Sequence, residues 1–249
     1  MEYTHVSHHK CFTKNIFEFI DKNLDRLIQQ SIVIDKVDNF TVLQYIEDNS
    51  PLGLRIVIQD DQLIDVYPIS LEMIVKEIEL DEIIILDEAK QYAAITCYVY
   101  EYDTIKLTFY DRDFAINKDK YKKDGIYTFG FYGIAYNLYA SDLQTNNVKI
   151  GNKIVEFKNG IISSKKEDMQ IDDSTFHSCI YSENKDNFFN KSHFLNQNVY
   201  DVVFKIANGH AEPDTFLPIY AFEDNIDNIA NVKKSNYLAA DVWVCGVLQ

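Results

Sequence analysis

Between Tyr92 and Tyr102 the chain reads YAAITCYVYEY. In a strand, successive side chains point to opposite faces. Ile95, Cys97 and Val99 therefore share one face, and Thr96, Tyr98 and Tyr100 share the other. Both faces are largely apolar or aromatic, so a strand here suits cover on both sides. The same holds for its neighbours EIIILDEA, IKLTFYDRD and GIYTFGFYGIAYNLY. A run of strands that needs two covering layers points to a closed or layered β architecture.

The end of the chain carries the same pattern. In KKSNYLAADVWVCGVLQ, alternation puts Leu238, Ala240, Val242 and Val244 on one face and Asp241, Trp243 and Cys245 on the other. The first set reads as a barrel interior. The second is a core row only where another layer covers it, with Trp243 as the anchor between layers and Cys245 as a small filler.

Ahead of these strands, the first dozen residues read as a frayed tail. TKNIFEFIDKNLDRLIQQ then predicts an amphipathic helix, with Thr13 as N-cap and Ile16, Phe17, Ile20, Leu24, Leu27 and Ile28 on one face. SIVIDKV, FTVLQYI, LGLRIVIQ and QLIDVYPI follow as short strands separated by turn residues, a small sheet that can carry the helix. SLEMIVKEIEL reads as a short helix capped by Ser70. Later, NVKIGNKIVEFKNGII predicts a hairpin turning at Gly151-Asn152, and a short helix is expected around DNIDNIANV.

The resulting class is mainly β (α+β). A helix plus small β sheet is expected over 1–80, a first β unit over 81–162, a polar linker over 163–173 and a second β unit over 174–249. Two stretches echo each other: LTFYDRDFAINKDKYKKDGIYTFGFYGIAY from Leu107 and LPIYAFEDNIDNIANVKKSNYLAADVWVCGVL from Leu217. Each reads strand, polar connector with a Lys-Lys pair, then a strand interrupted by glycine. This order resembles the OB-fold, a five-stranded barrel with a helix or loop between its third and fourth strands. The late segment from Val242 to Leu248 is similar to strands common in that fold. The resemblance implies one or two OB-like antiparallel β-barrel units.

Composition bears on function. Hydrophobic residues make up 47% and charged residues 25%, with 17 Tyr, 16 Phe, 8 Gly and 4 Pro. This is a globular, aromatic-rich chain, and low complexity is excluded. The net charge of −15 repels nucleic acid and anionic lipid and favours a basic partner. Charge is uneven: residues 104–166 hold 11 basic and 6 acidic side chains, while residues 61–103 hold 2 and 11. Cys11, Cys97, Cys179 and Cys245 are widely spaced, without a CxxC pair, which argues against a disulfide framework. The start MEYTHVSHHKCF lacks the apolar region of a signal peptide, and no apolar run is long enough to span a bilayer. A cytoplasmic setting is expected.

His5, His8, His9 and Cys11 are metal-ligand types, but their spacing fits no structural zinc site and favours a plain tail. Asp111 and Asp113 of YDRD resemble the DxD of some glycosyltransferases, a pair that can hold a divalent cation with phosphate. A solvated strand end is the simpler reading. Asp172, Asp173, His177 and Cys179, with His193 or His210, offer the parts of a Cys-His centre, yet a buried structural cysteine is favoured. Phosphate-binding glycine loops are missing. No cofactor and no metal is expected.

Two surfaces carry the functional expectation. The acidic block DDQLIDVYPISLEMIVKEIELDEIIILDEA, with Asp65, Glu77, Glu79, Asp81 and Glu82, reads as a face that docks a basic protein. The basic, aromatic stretch around Arg112, Lys118, Lys120, Tyr121, Lys122 and Lys123 reads as an alternative nucleic-acid face. The expected function is a non-enzymatic protein-binding module of immunity or inhibitor type. OB-like binding of an oligonucleotide or oligosaccharide is the first alternative, and an enzyme of unrecognised class using Asp111, Asp113 or Cys179 is the second.

Overall fold

The computed structural model describes residues 8–13, 15–87, 92–99, 106–141, 146–150, 153–157, 160–163, 178–183, 189–207 and 215–249. The four short runs after the first helix form an antiparallel meander: β1 Ile32–Val37, β2 Phe40–Ile46, β3 Leu52–Gln59 and β4 Gln62–Ser70, paired in that order. Asp38, Asn49, Asp60 and Asp61 at the turns adopt positive φ, which short polar side chains tolerate. Helix α1, Ile16–Gln30, precedes the sheet. Its apolar stripe, with Ile16 and Leu27 buried and Phe19, Ile20, Leu24 and Ile28 half-buried, packs against one core. The cap is Asn15 rather than Thr13: the Asn15 side chain accepts from the Glu18 N–H at 3.2 Å.

SLEMIVKEIEL is not a helix. From Ile74 it runs as β5, Ile74–Asp87, antiparallel to a later strand. The β-branched residues favour the strand, and Ile78 and Leu80 bury one face of it while Glu77 and Glu79 stay outside. The strands that follow are β6 Tyr92–Val99, β7 Lys106–Asp111 and, after the short helix α2 Phe114–Asn117, β8 Ile126–Ala140. β9 Asn146–Ile150 and β10 Lys153–Phe157 form the expected hairpin. Beyond them come β11 Gly160–Ser163, β12 Ser178–Glu183, β13 Asn190–Phe194, β14 Gln197–Ala207 and β15 Thr215–Phe222. Helix α3, Ile229–Lys234, leads into the last strand, β16 Tyr237–Leu248.

One closed ring of five strands runs β5-β6-β7-β16-β8 and back to β5. The closing strand is the last one in the chain, so the ring draws on both stretches that flank 163–173. Its pairing is not all antiparallel. β7 runs parallel to β16, with Tyr110 beside Cys245 and Asp111 beside Gly246. In turn β15 runs parallel to β8, with Ile219 beside Gly133 and Tyr220 beside Ile134. The two echoing strand–connector–strand segments thus lie crosswise. The second strand of each pairs antiparallel with that of the other along its length, and each first strand flanks the other segment's second strand.

β8 and β16 are therefore a shared ribbon. One end of it closes the ring with β5, β6 and β7. The other end carries β12 on one side and β15, β14 and β13 on the other. There β12 and β14 approach each other, and the Lys205 N–H donates to Ser182 Oγ at 3.1 Å. The inner residues of both ends form one core that includes Ile95, Cys97, Phe109, Phe129, Ile180, Phe204, Ile219 and Val242.

The opposite face of the ribbon belongs to a second core. Tyr132, Ile134, Trp243 and Cys245 share it with Val57, Tyr67 and Ile69 on one face of the four-stranded sheet, whose other face carries Leu52, Leu54, Ile56 and Val66. Trp243 is 1% exposed, with Tyr67 and Tyr110 edge-on to its ring at 6.5 and 5.5 Å. The covering layer that the last strand requires is the meander, with α1 outside it. Residues 8–12 are not a frayed tail: His8–Cys11 form a 3-10 turn, and His9, Cys11 and Phe12 are buried.

Gly246 marks the tightest point of the ring. A Cβ there would lie 2.4 Å from the Phe109 ring and 3.1 Å from Phe129. Phe109 is itself wedged 4.9 Å from both Phe129 and Phe131 and cannot swing away freely. Overpacking of this kind costs about 1–3 kcal/mol. Gly246→Ala is expected to lower stability by that amount in urea denaturation; an unchanged midpoint would mean that the phenylalanine cluster yields easily.

Candidate functional site

Among the described residues, the buried charged side chains concentrate where the meander meets the ring. At the end of β7 the sequence YDRD makes a tight turn into α2. Asp111, Arg112 and Asp113 are all buried, at 5, 8 and 7% exposure, so this is not a solvated strand end. Each side chain leaves in a different direction. Asp111 Oδ1 accepts the Asp113 N–H at 3.0 Å and Asn117 Nδ2 at 3.4 Å, and Oδ2 accepts the Tyr121 hydroxyl at 2.5 Å. Asp113 faces Arg55 of β3, whose Nε lies 3.3 Å from Oδ1 and whose Nη2 donates to Oδ2 at 3.3 Å. The two aspartates thus have separate partners and do not converge as a DxD cation site. Among the described residues no group of three metal-ligating side chains forms.

Arg112 points between the layers. Its guanidinium lies 3.2 Å from the centroid of the Tyr67 ring and 4.1 Å from that of Trp243, so aromatic rings from the meander and the closing strand both contact it. Cation–π attraction is strongest in such a desolvated setting. The backbone locks the same turn: Arg112 N–H donates to Gly246 O at 3.0 Å, and the Tyr67 hydroxyl donates to Arg112 O at 2.5 Å. This Arg112 is no part of an exposed nucleic-acid face.

Asp65 is likewise not on the acidic surface. It sits mid-strand in β4, 1% exposed, with Oδ1 2.8 Å from His9 Nε2 and accepting the Val66 N–H at 2.9 Å. That contact ties the buried His9 turn to β4. His5 lies outside the described residues, as does the side chain of His8.

The rest of the acidic set lies on β5. Glu77, Glu79 and Glu82 are exposed, and Asp81 is partly exposed and paired with Lys106 at 2.6 Å. Glu79 stands between Ile126 of β8 and Tyr98 of β6 in the register, and Val75 precedes it on the same strand. Val75, Tyr98 and Ile126 are 53, 37 and 54% exposed. The outer wall of the ring thus mixes carboxylates with uncovered apolar side chains.

Of the basic set, Lys120, Lys122 and Lys123 are exposed and Lys118 is half-buried. Tyr121 is turned inward, stacked on Phe114 and Phe129, with its hydroxyl on Asp111. Asp172, Asp173, His177, His210 and the side chain of Cys179 lie outside the described residues, and His193 is exposed on β13. Burial pushes the thiols of Cys97 and Cys245 up to about 12 and raises that of Cys11 as well, so these three are poor nucleophiles at neutral pH.

Arg55, with its Asp113 partner, and the His9–Asp65 pair escape a reading by segment. Their signal was a single charge inside an apolar strand run, Arg55 in LGLRIVIQ and Asp65 in QLIDVYPI, which demands a buried partner. No protein-family model, no curated protein and no solved structure matches this chain. Among the described residues no helix is long and apolar enough to cross a membrane.

Burial raises the Asp111 carboxyl from 3.8 to about 7, against the opposing pull of the Tyr121 hydroxyl. A raised native value means that the fold binds this proton more tightly than the unfolded chain. The associated stability is complete below about pH 4 and is lost as pH rises towards 7. Measured against Asp111→Asn by urea titration from pH 4 to 8, the wild type is expected to lose roughly 2–4 kcal/mol relative to the variant. A flat difference across that range would show that the carboxylate is ionised throughout.

Proposed function

We propose that the protein is a non-enzymatic, cytoplasmic binding module that docks a basic protein through the outer wall of its β-ring. The observation that carries this reading is the row Ile126–Glu79–Tyr98, with Glu77 and Val75 beside it. Carboxylates speed encounter with a basic surface and select it, while exposed apolar side chains supply area to bury. Asp81 adds less, because Lys106 neutralises it, and Asp65 takes no part from the interior. The separate partners of Asp111 and Asp113 and the raised thiols weigh against an enzyme. An inhibitor or immunity role, in which the partner is a basic toxin or nuclease, fits the same surface chemistry.

A second reading follows from the ring itself. The strand order, the helix between its third and fourth strands and the parallel contact of third with fifth strand all resemble an OB-fold, with Lys120, Lys122 and Lys123 exposed at one end. OB-folds bind oligomers on the outer face of their second and third strands. Here Ala94, Thr96, Thr108 and Tyr110 on that face are buried, which favours the protein-docking reading. Titration of labelled single strands over a salt series separates the two, since nucleic-acid binding strengthens steeply as salt falls.

Charge reversal tests the leading proposal. Glu77→Lys with Glu79→Lys is expected to fold normally, as surface changes shift stability by about 0.5 kcal/mol or less each. A basic protein retained on the immobilised wild type at low salt is expected to bind the double variant at least tenfold more weakly. A control reversal at exposed Glu72 should leave that binding intact. Equal loss in both variants would mean that only net charge matters and would sink the assignment to this wall.

A further inference from the structure

We infer that Arg112 forms the base of a binding pocket for a small planar oxyanion, a carboxylate or nitrate-sized group gripped edge-on by its Nε and Nη2. Both atoms are buried without a hydrogen-bond partner. They form the fork edge of the guanidinium, which meets a planar oxyanion with two parallel hydrogen bonds. Tyr67 and Trp243 contact the guanidinium through rings set at 85° to each other, so they cover two sides of the group and leave the fork edge to a ligand. Beside it lies a cavity of about 30 Å³, lined by Asp65, Tyr67, Tyr92, Tyr110, Asp111 and Trp243. One water needs about 10–15 Å³ of such space, so the cavity has room for a larger group.

The carboxylates lining the cavity make no direct ion pair with Arg112, although Asp65 attracts its charge through space. Asp65 Oδ1 is spent on His9 and the Val66 N–H, and Asp111 accepts from Tyr121, Asn117 and its own turn. Neither makes an ion pair with Arg112, whereas the other buried arginine, Arg55, has both Asp113 and Gln44. A full charge held nine-tenths buried without a directly paired counter-ion is costly, and a bound anion lowers that cost. Water fills space and satisfies donors but does not neutralise.

Trp243 is the only tryptophan, and its ring lies against the guanidinium, so it reports directly on this pocket. In a titration with sodium formate, with ionic strength held by sodium chloride, Trp243 fluorescence is expected to change saturably. Arg112→Lys keeps the charge and loses the fork, and it should bind formate at least tenfold more weakly. A linear, non-saturating change, or the same saturation curve in Arg112→Lys, would overturn the inference. Should the variant fail to fold, the wild-type thermal midpoint serves instead. It is expected to rise with the logarithm of formate at constant ionic strength, and no rise over chloride alone would overturn the inference equally.

Discussion

The contact on which the rest depends is the Arg112 guanidinium between Tyr67 and Trp243. Three elements far apart in sequence meet there: the fourth strand of the meander, the turn after the ring's third strand and the strand that ends the chain. The desolvation of a buried charge costs several kcal/mol. Each desolvated cation–π contact returns about 2 kcal/mol. The backbone bonds from Arg112 N–H to Gly246 O and from the Tyr67 hydroxyl to Arg112 O hold the turn in place regardless of that balance. The layers are thus registered by a polar contact, while the apolar rows around it supply most of the adhesion. A purely apolar interface would tolerate sliding; a cation between two rings does not.

The crossed pairing of β7 with β16 and β15 with β8 explains why the long strands carry apolar side chains on both faces. Inner-facing Val242, Val244, Phe129 and Phe131 fill the continuous core of the ring and its extension. Outer-facing Trp243, Cys245, Tyr132 and Ile134 receive the meander. Neither face of the ribbon is left to solvent at its middle, and so neither is polar. The glycines belong to the same constraint: Gly246 lets Phe109 approach the backbone, and Gly133 sits where Ile219 packs from the parallel strand.

Much of this was legible from alternation alone. The four strands of the meander, the face assignment of β16 and the role of Trp243 as an anchor follow from period-two patterning with a requirement for cover. Ile74–Leu80 was not legible, because its apolar spacing suits a short helix as well as a strand, and only pairing with β8 decides it. The polar site was obscured for a different reason. Asp65 falls in an acidic block and Arg112 in a basic one, and block charge describes surfaces. A charge flanked by apolar residues inside a strand obeys another rule, since its neighbours commit it to the core. His9 could be placed only with its partner, 56 residues away in β4.

Charge type also sorts inside from outside. The chain has three arginines, and two of them, Arg55 and Arg112, are buried at the layer junction. Lys120, Lys122 and Lys123 of the connector after α2 stay in water. This division follows from chemistry: a guanidinium is weakly hydrated, stacks on rings and forks onto carboxylates, whereas an ammonium holds its water. With two arginines withdrawn into the fold, Glu77, Glu79 and Glu82 on β5 stand where those arginines cannot screen them. The fold thereby uses its best ion-pairing cations to register its layers and leaves the acidic wall facing outward with Lys106 as the cation paired to Asp81.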